Sequence, residues 1–239
     1  MQQDYYNEEI AKFDKISDDW WLGNTSFDLL HQINPIRLNY IRKAIFTYKK
    51  LLDLKHLKIL DVGCGGGLLS IPLAKLGAQV TALDGGVNNI KIARDKALES
   101  NIDNINFICA PIENHDDNEK YDVIICLEMI EHVDDQNMLL KKLSHILKPN
   151  GLFILSTLNK TYLSWFLSIY MAENIVSLLP KHTHDYEKFI KPEKISQVLE
   201  QCNVILKDIK GLMWHPVRKW HVSNQIIANY ILTAQKKHL

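Results

Sequence analysis

The sequence predicts an α/β domain built on a mostly parallel sheet with helices on both faces. Between residues 57 and 159, short apolar strand-like segments alternate with helix-like ones, the pattern of a parallel sheet with crossover helices. The stretch "YDVIICLEM" (121–129) is an almost continuous apolar run, as expected for a strand buried on both faces. A length of 239 residues suits one such domain.

Seven strands are predicted, and the last is expected to run antiparallel. They are the segments 57–63, 78–85, 105–111, 121–129, 152–159, 204–212 and 228–237. Four helices are predicted between them, at 68–77, 87–101, 136–151 and 192–203. Pro149 and Gly151 are expected to close the third of these helices, and residues 213–224 are predicted as a loop.

The chain divides into four regions of one domain. Residues 1–52 are predicted to form a helical cap, 53–159 a nucleotide-binding-type core, 160–191 an apolar insertion, and 192–239 the completion of the sheet. Within the cap, Asn34 is predicted to cap a helix whose first residue is Pro35, because proline has a fixed φ suited to a first helical position.

Composition excludes some partners. Lysine plus arginine and aspartate plus glutamate both number 28, so no global field attracts nucleic acid, although a local patch is not excluded. The four cysteines form no CxxC pair and are expected to be free thiols in a reducing compartment. No secretory signal and no run of roughly 20 apolar residues is present, so we expect a soluble, cytosolic protein.

A glycine-rich turn follows the first predicted strand in "LDVGCGGGLLS". Gly63, Gly65 and Gly67 read G-x-G-x-G, and Leu68 stands where a dinucleotide fingerprint has its third glycine. Such a turn lets backbone approach a ligand closely and aims helix N–H groups at it.

Two carboxylates favour a cationic ligand at this turn. Asp84 ends the next strand, about twenty residues on, where a carboxylate can accept both ribose hydroxyls of an adenosine. Asp61 adds negative character at the end of the first strand. S-adenosylmethionine carries a sulfonium and no phosphate, so it suits the turn better than NAD. The alternative is an ordinary βα turn with a solvent-exposed aspartate.

The segment "CLEMIEHVDD" (126–135) places Glu128, Glu131 and His132 just past the fourth strand. In a helical turn all three would share a face. They could bind a divalent ion such as Mg²⁺, or His132 with Glu131 could act as acid and base. They could also be ordinary polar residues that fix a loop by hydrogen bonds. The sequence leaves these three readings open.

At these motifs the chain resembles the class I S-adenosylmethionine-dependent methyltransferases. Within them it is similar to the ubiquinone-biosynthesis O-methyltransferases, which methylate polyprenylated catechols. The similarity spans roughly residues 8 to 236. Its more specific segments are "LHQINPIRLNYI", "LDVGCGGGLLS", "EMIEHV", "LKPNGLFILSTLN", "PKHTHDYEKFIKP" and "NYILTAQK".

The resemblance implies the Rossmann-like methyltransferase fold and a set of site residues. The implied cofactor-binding residues are Arg37, Asp61, Gly63, Gly65, Asp84 and Leu127. Arg37 would hold the methionine carboxylate with its bidentate fork. Leu127 stands where the family usually has methionine. For Glu128, Glu131 and His132, the resemblance favours a metal site. His215 replaces the asparagine that the family tends to have, and its role stays open.

The insertion is expected to form a two-helix lid over residues 162–179, which carry only one charge, Glu173. It either packs on the domain or contacts a bilayer. The family's substrate is membrane-derived, so the resemblance implies peripheral contact at the inner face of the membrane, and other ubiquinone-biosynthesis enzymes as partners. His182, His184 and Asp185 could line the substrate mouth or hinge the lid. Rival functions are methylation of another small phenol and cofactor binding without turnover.

Overall fold

The computed structural model describes residues 10–11, 14–22, 27–116, 118–160 and 188–238. Its strands are β1 Lys58–Val62, β2 Gln79–Asp84, β3 Ile105–Cys109, β4 Tyr121–Leu127, β5 Leu147–Leu158, β6 Val204–His215, β7 Lys219–Ser223 and β8 Asn229–Lys236. Its α-helices are α1 Asp28–Ala44, α2 Ser70–Lys75, α3 Val87–Glu99, α4 Gln136–Ile146 and α5 Pro192–Gln201.

All eight strands join one sheet in the order β3-β2-β1-β4-β5-β8-β6-β7. The first five run parallel, and β8 is antiparallel to both of its neighbours, β5 and β6. The chain winds outward in both directions from β1 and β4, so a crevice opens between their carboxyl ends. The predicted α/β fold, with its mostly parallel sheet and antiparallel ending, is confirmed.

Side chains of β4 alternate between two buried layers. Val123 and Ile125 pack in one layer with α1 and α2, whereas Ile124 and Cys126 pack in the other with α4 and α5. All four are fully buried. A strand covered on both faces needs apolar residues at every position, which explains the continuous apolar run.

The structure adds an eighth strand where the sequence predicted a loop. Strand β6 continues to His215, and the segment Lys219–Ser223 returns as β7, with Trp214 opposite Trp220. The predicted loop is wrong: Pro216 lies in a tight turn, and strands pair on both sides of it. The aromatic and β-branched residues on both sides favour strand pairing.

The third predicted helix ends earlier than expected. Helix α4 begins after Asp135, whose side chain accepts from the Met138 N–H at 2.9 Å, and it ends at Ile146. The residues up to Asn150, predicted as the last helical turn, belong to β5. Pro149 explains this, since proline disfavours helical φ and ψ at the residue before it.

The predicted cap at Asn34 is also wrong. Helix α1 begins at Asp28, seven residues before Pro35, which lies inside the helix. The extra turns are stabilised by a cluster with the preceding segment: the Phe27 ring stacks on Trp20 at 3.9 Å between centroids, and His31 Nε2 lies 2.8 Å from the Trp20 carbonyl oxygen. These contacts offset the hydrogen bond that Pro35 cannot donate.

Most of the predicted apolar insertion, including 162–179, His182, His184 and Asp185, lies outside the described residues. In the part of the chain that the structure describes, no helix is both long and apolar enough to cross a bilayer. The four cysteines are free thiols, as predicted.

Candidate active site

The glycine turn after β1 is fastened to the end of β2. The N–H groups of Gly63 and Cys64 donate to the Leu83 carbonyl oxygen at 2.8 and 3.0 Å. Gly63, Gly65 and Gly67 have φ of +73°, +52° and +82°, in the region where side chains are strained. The backbone conformation of this turn therefore requires glycine at these three positions. Gly63 is the solvent-exposed member, so a ligand has access to the turn there.

Trp20 covers the other side of this turn. A Cβ placed on Gly65 or Gly66 would overlap the Trp20 side chain, so the tryptophan packs directly on the glycine backbone. Trp21 Nε1 also donates to the Gly66 carbonyl oxygen at 2.8 Å. The N-terminal segment thus holds the glycine turn in place through Trp20 and Trp21. The sequence did not predict this contact.

Asp84 receives three hydrogen bonds at the end of β2. Its Oδ2 accepts from the Gly65 N–H at 2.9 Å, and its Oδ1 accepts from the Gly86 N–H at 2.8 Å and from Asn89 Nδ2 at 3.1 Å. Burial raises the pKa of this carboxyl, and the three donors oppose that rise. The carboxylate is half-buried and held in one orientation beside the glycine turn, and its role as a ribose acceptor stays a prediction.

Asn89, in the first turn of α3, was not predicted. The residue is buried, and its Oδ1 accepts from Trp20 Nε1 at 2.8 Å while its amide group donates to Asp84. One side chain therefore links the tryptophan cover to the carboxylate. No pattern in the sequence marks it, because its partners lie 5 and 69 residues away.

Asp61, which was predicted to bind the cofactor, is almost completely buried. It is 3% exposed, and Ser70 Oγ donates to its Oδ2 at 2.5 Å. Burial raises the pKa of Asp61 to about 6, while the Ser70 hydrogen bond lowers it. The carboxyl is thus enclosed beneath the turn by Ser70.

Arg37 and Glu128 form a partly buried ion pair at the end of β4. Arg37 Nη2 donates to Glu128 Oε1 at 2.5 Å, and Ser156 Oγ donates to the same oxygen at 2.8 Å. Arg37 is 4% exposed, and its Nε is buried without a hydrogen-bond partner among the described residues. Glu128 has φ of +51°, an uncommon value for a residue with a side chain. Helix α1 therefore contributes a cation to the end of β4.

Glu131 is a buried carboxyl with one unpaired oxygen. Thr157 Oγ1 donates to its Oε2 at 2.9 Å, whereas its Oε1 has no partner among the described residues. Burial raises the pKa of Glu131 to about 7; the charge of Glu128 raises it further and His132 lowers it. A carboxyl whose pKa lies near neutrality is suited to exchange protons.

The predicted metal set does not assemble as three ligands. Among the described ranges, no three histidine, cysteine, aspartate or glutamate side chains are grouped so that they could hold an ion. Glu128 is paired with Arg37 instead, and Glu131 accepts from Thr157. The described side chains therefore do not fit the Mg²⁺ site that the resemblance favoured.

The two halves of the site meet at Gly63. A Cβ on this residue would lie 2.9 Å from Met129 Cγ, so the turn after β4 packs against the glycine turn. Leu127, half-buried at the end of β4, lies one residue before Glu128. Contacts join the predicted residues Arg37 and Glu128, and Gly65 and Asp84, while Gly63 meets Met129. The predicted residues Leu127, Glu131 and His132 lie next to these in the chain, after β4 or at its end.

This fold and crevice define a methyltransferase domain. Residues 36–204 match the family model described as a methyltransferase domain. Two solved structures share the fold. Magnesium protoporphyrin IX methyltransferase from Synechocystis PCC 6803 with bound SAH has a TM-score of 0.69 at 22% identity, covering 98% of this chain and 97% of that one. N-methyltransferase NodS from Bradyrhizobium japonicum WM9 has a TM-score of 0.62 at 14% identity, covering 99% and 98%.

Sequence similarity defines the family more closely. Ubiquinone biosynthesis O-methyltransferase from Rickettsia felis is 43% identical over 232 residues, 96% of this chain and 93% of the relative. The protein of the same name from Rickettsia akari is 44% identical over 233 residues, 97% and 92% of the two chains. The chain belongs to the ubiquinone biosynthesis O-methyltransferase family, which confirms the resemblance.

Proposed function

We propose that this protein transfers a methyl group from S-adenosylmethionine to a hydroxyl of a polyprenylated catechol or demethylubiquinol in ubiquinone biosynthesis. The observation that carries the proposal is the similarity to ubiquinone biosynthesis O-methyltransferases over 96% of the chain. The crevice described above supplies groups suited to each part of that reaction.

The carboxyl ends of β1 and β2 suit the cofactor. Asp84 is already oriented by three donors and can accept ribose hydroxyls on its open side. Gly63, exposed and without a side chain, allows close approach to backbone. Arg37, whose guanidinium lies nearby at the end of β4, suits a ligand carboxylate because of its bidentate fork. When bound, S-adenosylmethionine supplies an electrophilic methyl group, and the acidic surroundings favour its sulfonium.

The turn after β4 suits the acceptor. A catechol hydroxyl has a pKa near that of tyrosine, about 10, so removal of its proton needs a base. Glu131, with a pKa of about 7, is much closer to that value than an ordinary glutamate. His132 is next to it and is half-buried. We assign proton removal to this pair, while Mg²⁺ stays a prediction of the sequence.

The membrane partner also belongs to the proposal. A polyprenyl tail partitions into a bilayer, so the protein would act peripherally at the inner face of the membrane, on its cytoplasmic side. The segment 162–179, which carries only one charge, Glu173, is suited to that contact, and neighbouring enzymes of the same pathway are expected partners.

The test uses purified protein, labelled S-adenosylmethionine and a catechol with a short prenyl chain, with and without excess chelator. We expect a mono-O-methylated product, and none from a substrate whose hydroxyls are already methylated. Absence of transfer while the cofactor still binds would contradict the function. Transfer only to catechols without a prenyl chain would support another small phenol. Full activity in chelator would remove the Mg²⁺ prediction alone.

A further inference from the structure

The β6–β7 hairpin projects beyond the edge of the sheet where the crevice opens. Strand β6 runs in the direction of β5, because both are antiparallel to β8. Gly211 and Thr157 both pair with Tyr230, so Gly211 lies one residue before the end of β5. The strand then continues to His215. At about 3.3 Å per residue it extends roughly 10 Å past Leu158 before it turns.

The end of this hairpin is exposed and apolar as well as basic. All six residues from Trp214 to Lys219 are exposed. Trp214 is 52% exposed and Val217 is 84% exposed. Arg218 and Lys219 follow directly. We call the segment 214–219 the hairpin tip.

The chain from residue 209 to residue 239 has no aspartate or glutamate, although acidic and basic residues balance over the whole protein. Of its five cations, Lys236 and Lys237 lie at the far end of the sheet, opposite the start of β6, and Lys210 pairs with Asp208 at 3.2 Å. Arg218 and Lys219 are the two cations of the tip itself. The tip therefore combines an exposed tryptophan and valine with two adjacent cations.

The conformation of the hairpin tip is fixed by hydrogen bonds within its turn and by the packing of the strands next to it. His215 Nδ1 accepts from the N–H groups of Val217 and Arg218 at 3.2 and 3.3 Å, which closes the turn. Leu212 is buried in the core, and Trp220, half-buried, packs against the same layer. A preformed tip loses little conformational freedom when it binds a surface. This gives His215 a structural role in the turn.

We propose that the hairpin tip docks on the surface of an anionic phospholipid bilayer. Tryptophan is enriched at the membrane–water interface, Val217 can enter the acyl boundary, and Arg218 and Lys219 are attracted to acidic headgroups. The inference rests on the proposed function, since docking here turns the crevice toward the membrane that holds the substrate. Two adjacent cations are few for a nucleic acid, whose binding depends on many phosphate contacts.

Flotation with phosphatidylglycerol-containing vesicles tests the proposal on the full chain. Trp214→Ser with Val217→Ser removes the apolar contact, and Arg218→Glu with Lys219→Glu reverses the charge without touching the core. We expect the charge reversal to lower the vesicle-bound fraction at least about tenfold, and raised salt to weaken wild-type binding. The matched control is Leu98→Ser with Lys75→Glu, at the ends of α3 and α2 on the opposite edge, which should float like wild type.

Unchanged flotation of both tip variants would overturn the proposal, as would equal losses in the control. Retention of the protein on single-stranded RNA without vesicle binding would also overturn it. Turnover of the short-chain catechol without vesicles distinguishes a failure of the docking inference from a failure of the proposed function. If tip variants turn over normally and float normally, only the docking inference fails. If wild type binds vesicles but methylates no catechol, the proposed function fails instead.

Discussion

The two sides of the crevice differ in how many hydrogen-bond donors their carboxyls receive. On the β1–β2 side, Asp84 has donors on both oxygens, from Gly65, Gly86 and Asn89. On the β4–β5 side, Glu131 has one donor, from Thr157, and its second oxygen is buried without a partner among the described residues. Burial raises the pKa on both sides, but only the first is compensated by several donors.

This difference suits one carboxyl to ligand binding and the other to proton transfer. A satisfied carboxylate with a fixed orientation is ready to accept ligand hydroxyls without rearrangement. An unsatisfied buried group costs roughly 1–3 kcal/mol, and such groups concentrate where a protein uses them. We therefore propose that the β1–β2 side recognises the cofactor and that the β4–β5 side transfers the proton.

The largest effect is expected at Asp84. Asp84→Ala removes the proposed ribose acceptor and leaves the donors of Gly65, Gly86 and Asn89 without their acceptor. S-adenosylmethionine should therefore bind at least about 100-fold more weakly, because hydrogen bonds to charged groups contribute about 1.5–3 kcal/mol each. Calorimetric titration measures this. Asp122→Ala is the control: Asp122 pairs with Lys148 at the start of β4, on the opposite edge, and its loss should leave cofactor affinity unchanged.

Glu131 should make stability depend on pH. Its folded pKa of about 7 lies above the ordinary 4.5, so the folded state binds the proton more tightly and stability falls as pH rises from 4.5 to 7. Between pH 5 and pH 8 this loss is about 2 kcal/mol. Glu131→Gln, which mimics the protonated form, should lack it. Urea unfolding at both pH values measures the difference.

The exposed carboxyl of Glu113 provides the comparison for that experiment. Glu113→Gln should follow the wild-type pH dependence. If Glu131→Gln and wild type lose the same stability on going to pH 8, the carboxyl is not the group that titrates.

The packing of Trp20 on the glycine turn should be visible as a steric conflict. Gly66→Ala introduces a Cβ that overlaps Trp20, so unfolding free energy should fall by about 2 kcal/mol. The same substitution should cost clearly less when Trp20 is already alanine. Additive costs in this double-mutant cycle would show that the two residues do not touch.

The smallest effect is expected from the hydrogen bond between Trp20 Nε1 and Asn89 Oδ1. Trp20→Phe keeps an aromatic ring but leaves the Oδ1 of Asn89 buried without its donor, which should cost about 1–2 kcal/mol and weaken cofactor binding slightly. Trp21→Phe, whose bond to Gly66 is only partly buried, should cost less. Thermal unfolding of both variants ranks them, and the opposite ranking would contradict the linking role of Asn89.

Much of this architecture could be predicted from local patterns. The unbroken apolar run ending at Leu127 indicates a strand buried on both faces, and the spacing from Gly63 to Asp84 follows from one βαβ unit. Contacts between distant segments could not be predicted. Trp20 packs on a turn 45 residues ahead in the chain, Arg37 pairs with Glu128 91 residues away, and Thr157 with Glu131 26 residues away.

The helix boundaries that were predicted wrongly also depend on contacts between distant segments. Pro35 and Pro149 were used as markers of helix boundaries, but the effect of a proline depends on what packs around it. Pro35 is carried inside α1 because Phe27 and His31 anchor the extra turns on Trp20. Pro149 instead ends helical structure early, since β5 has a neighbour to pair with at Leu147.

The most direct test of the division between the two sides combines Glu131→Gln with His132→Gln. Cofactor affinity by calorimetry and the rate of methyl transfer to the short-chain prenyl catechol are measured on the same preparation. We predict a dissociation constant for S-adenosylmethionine within about twofold of wild type and a transfer rate at least about 100-fold lower. An unchanged rate, or a parallel loss of cofactor binding, would contradict the account.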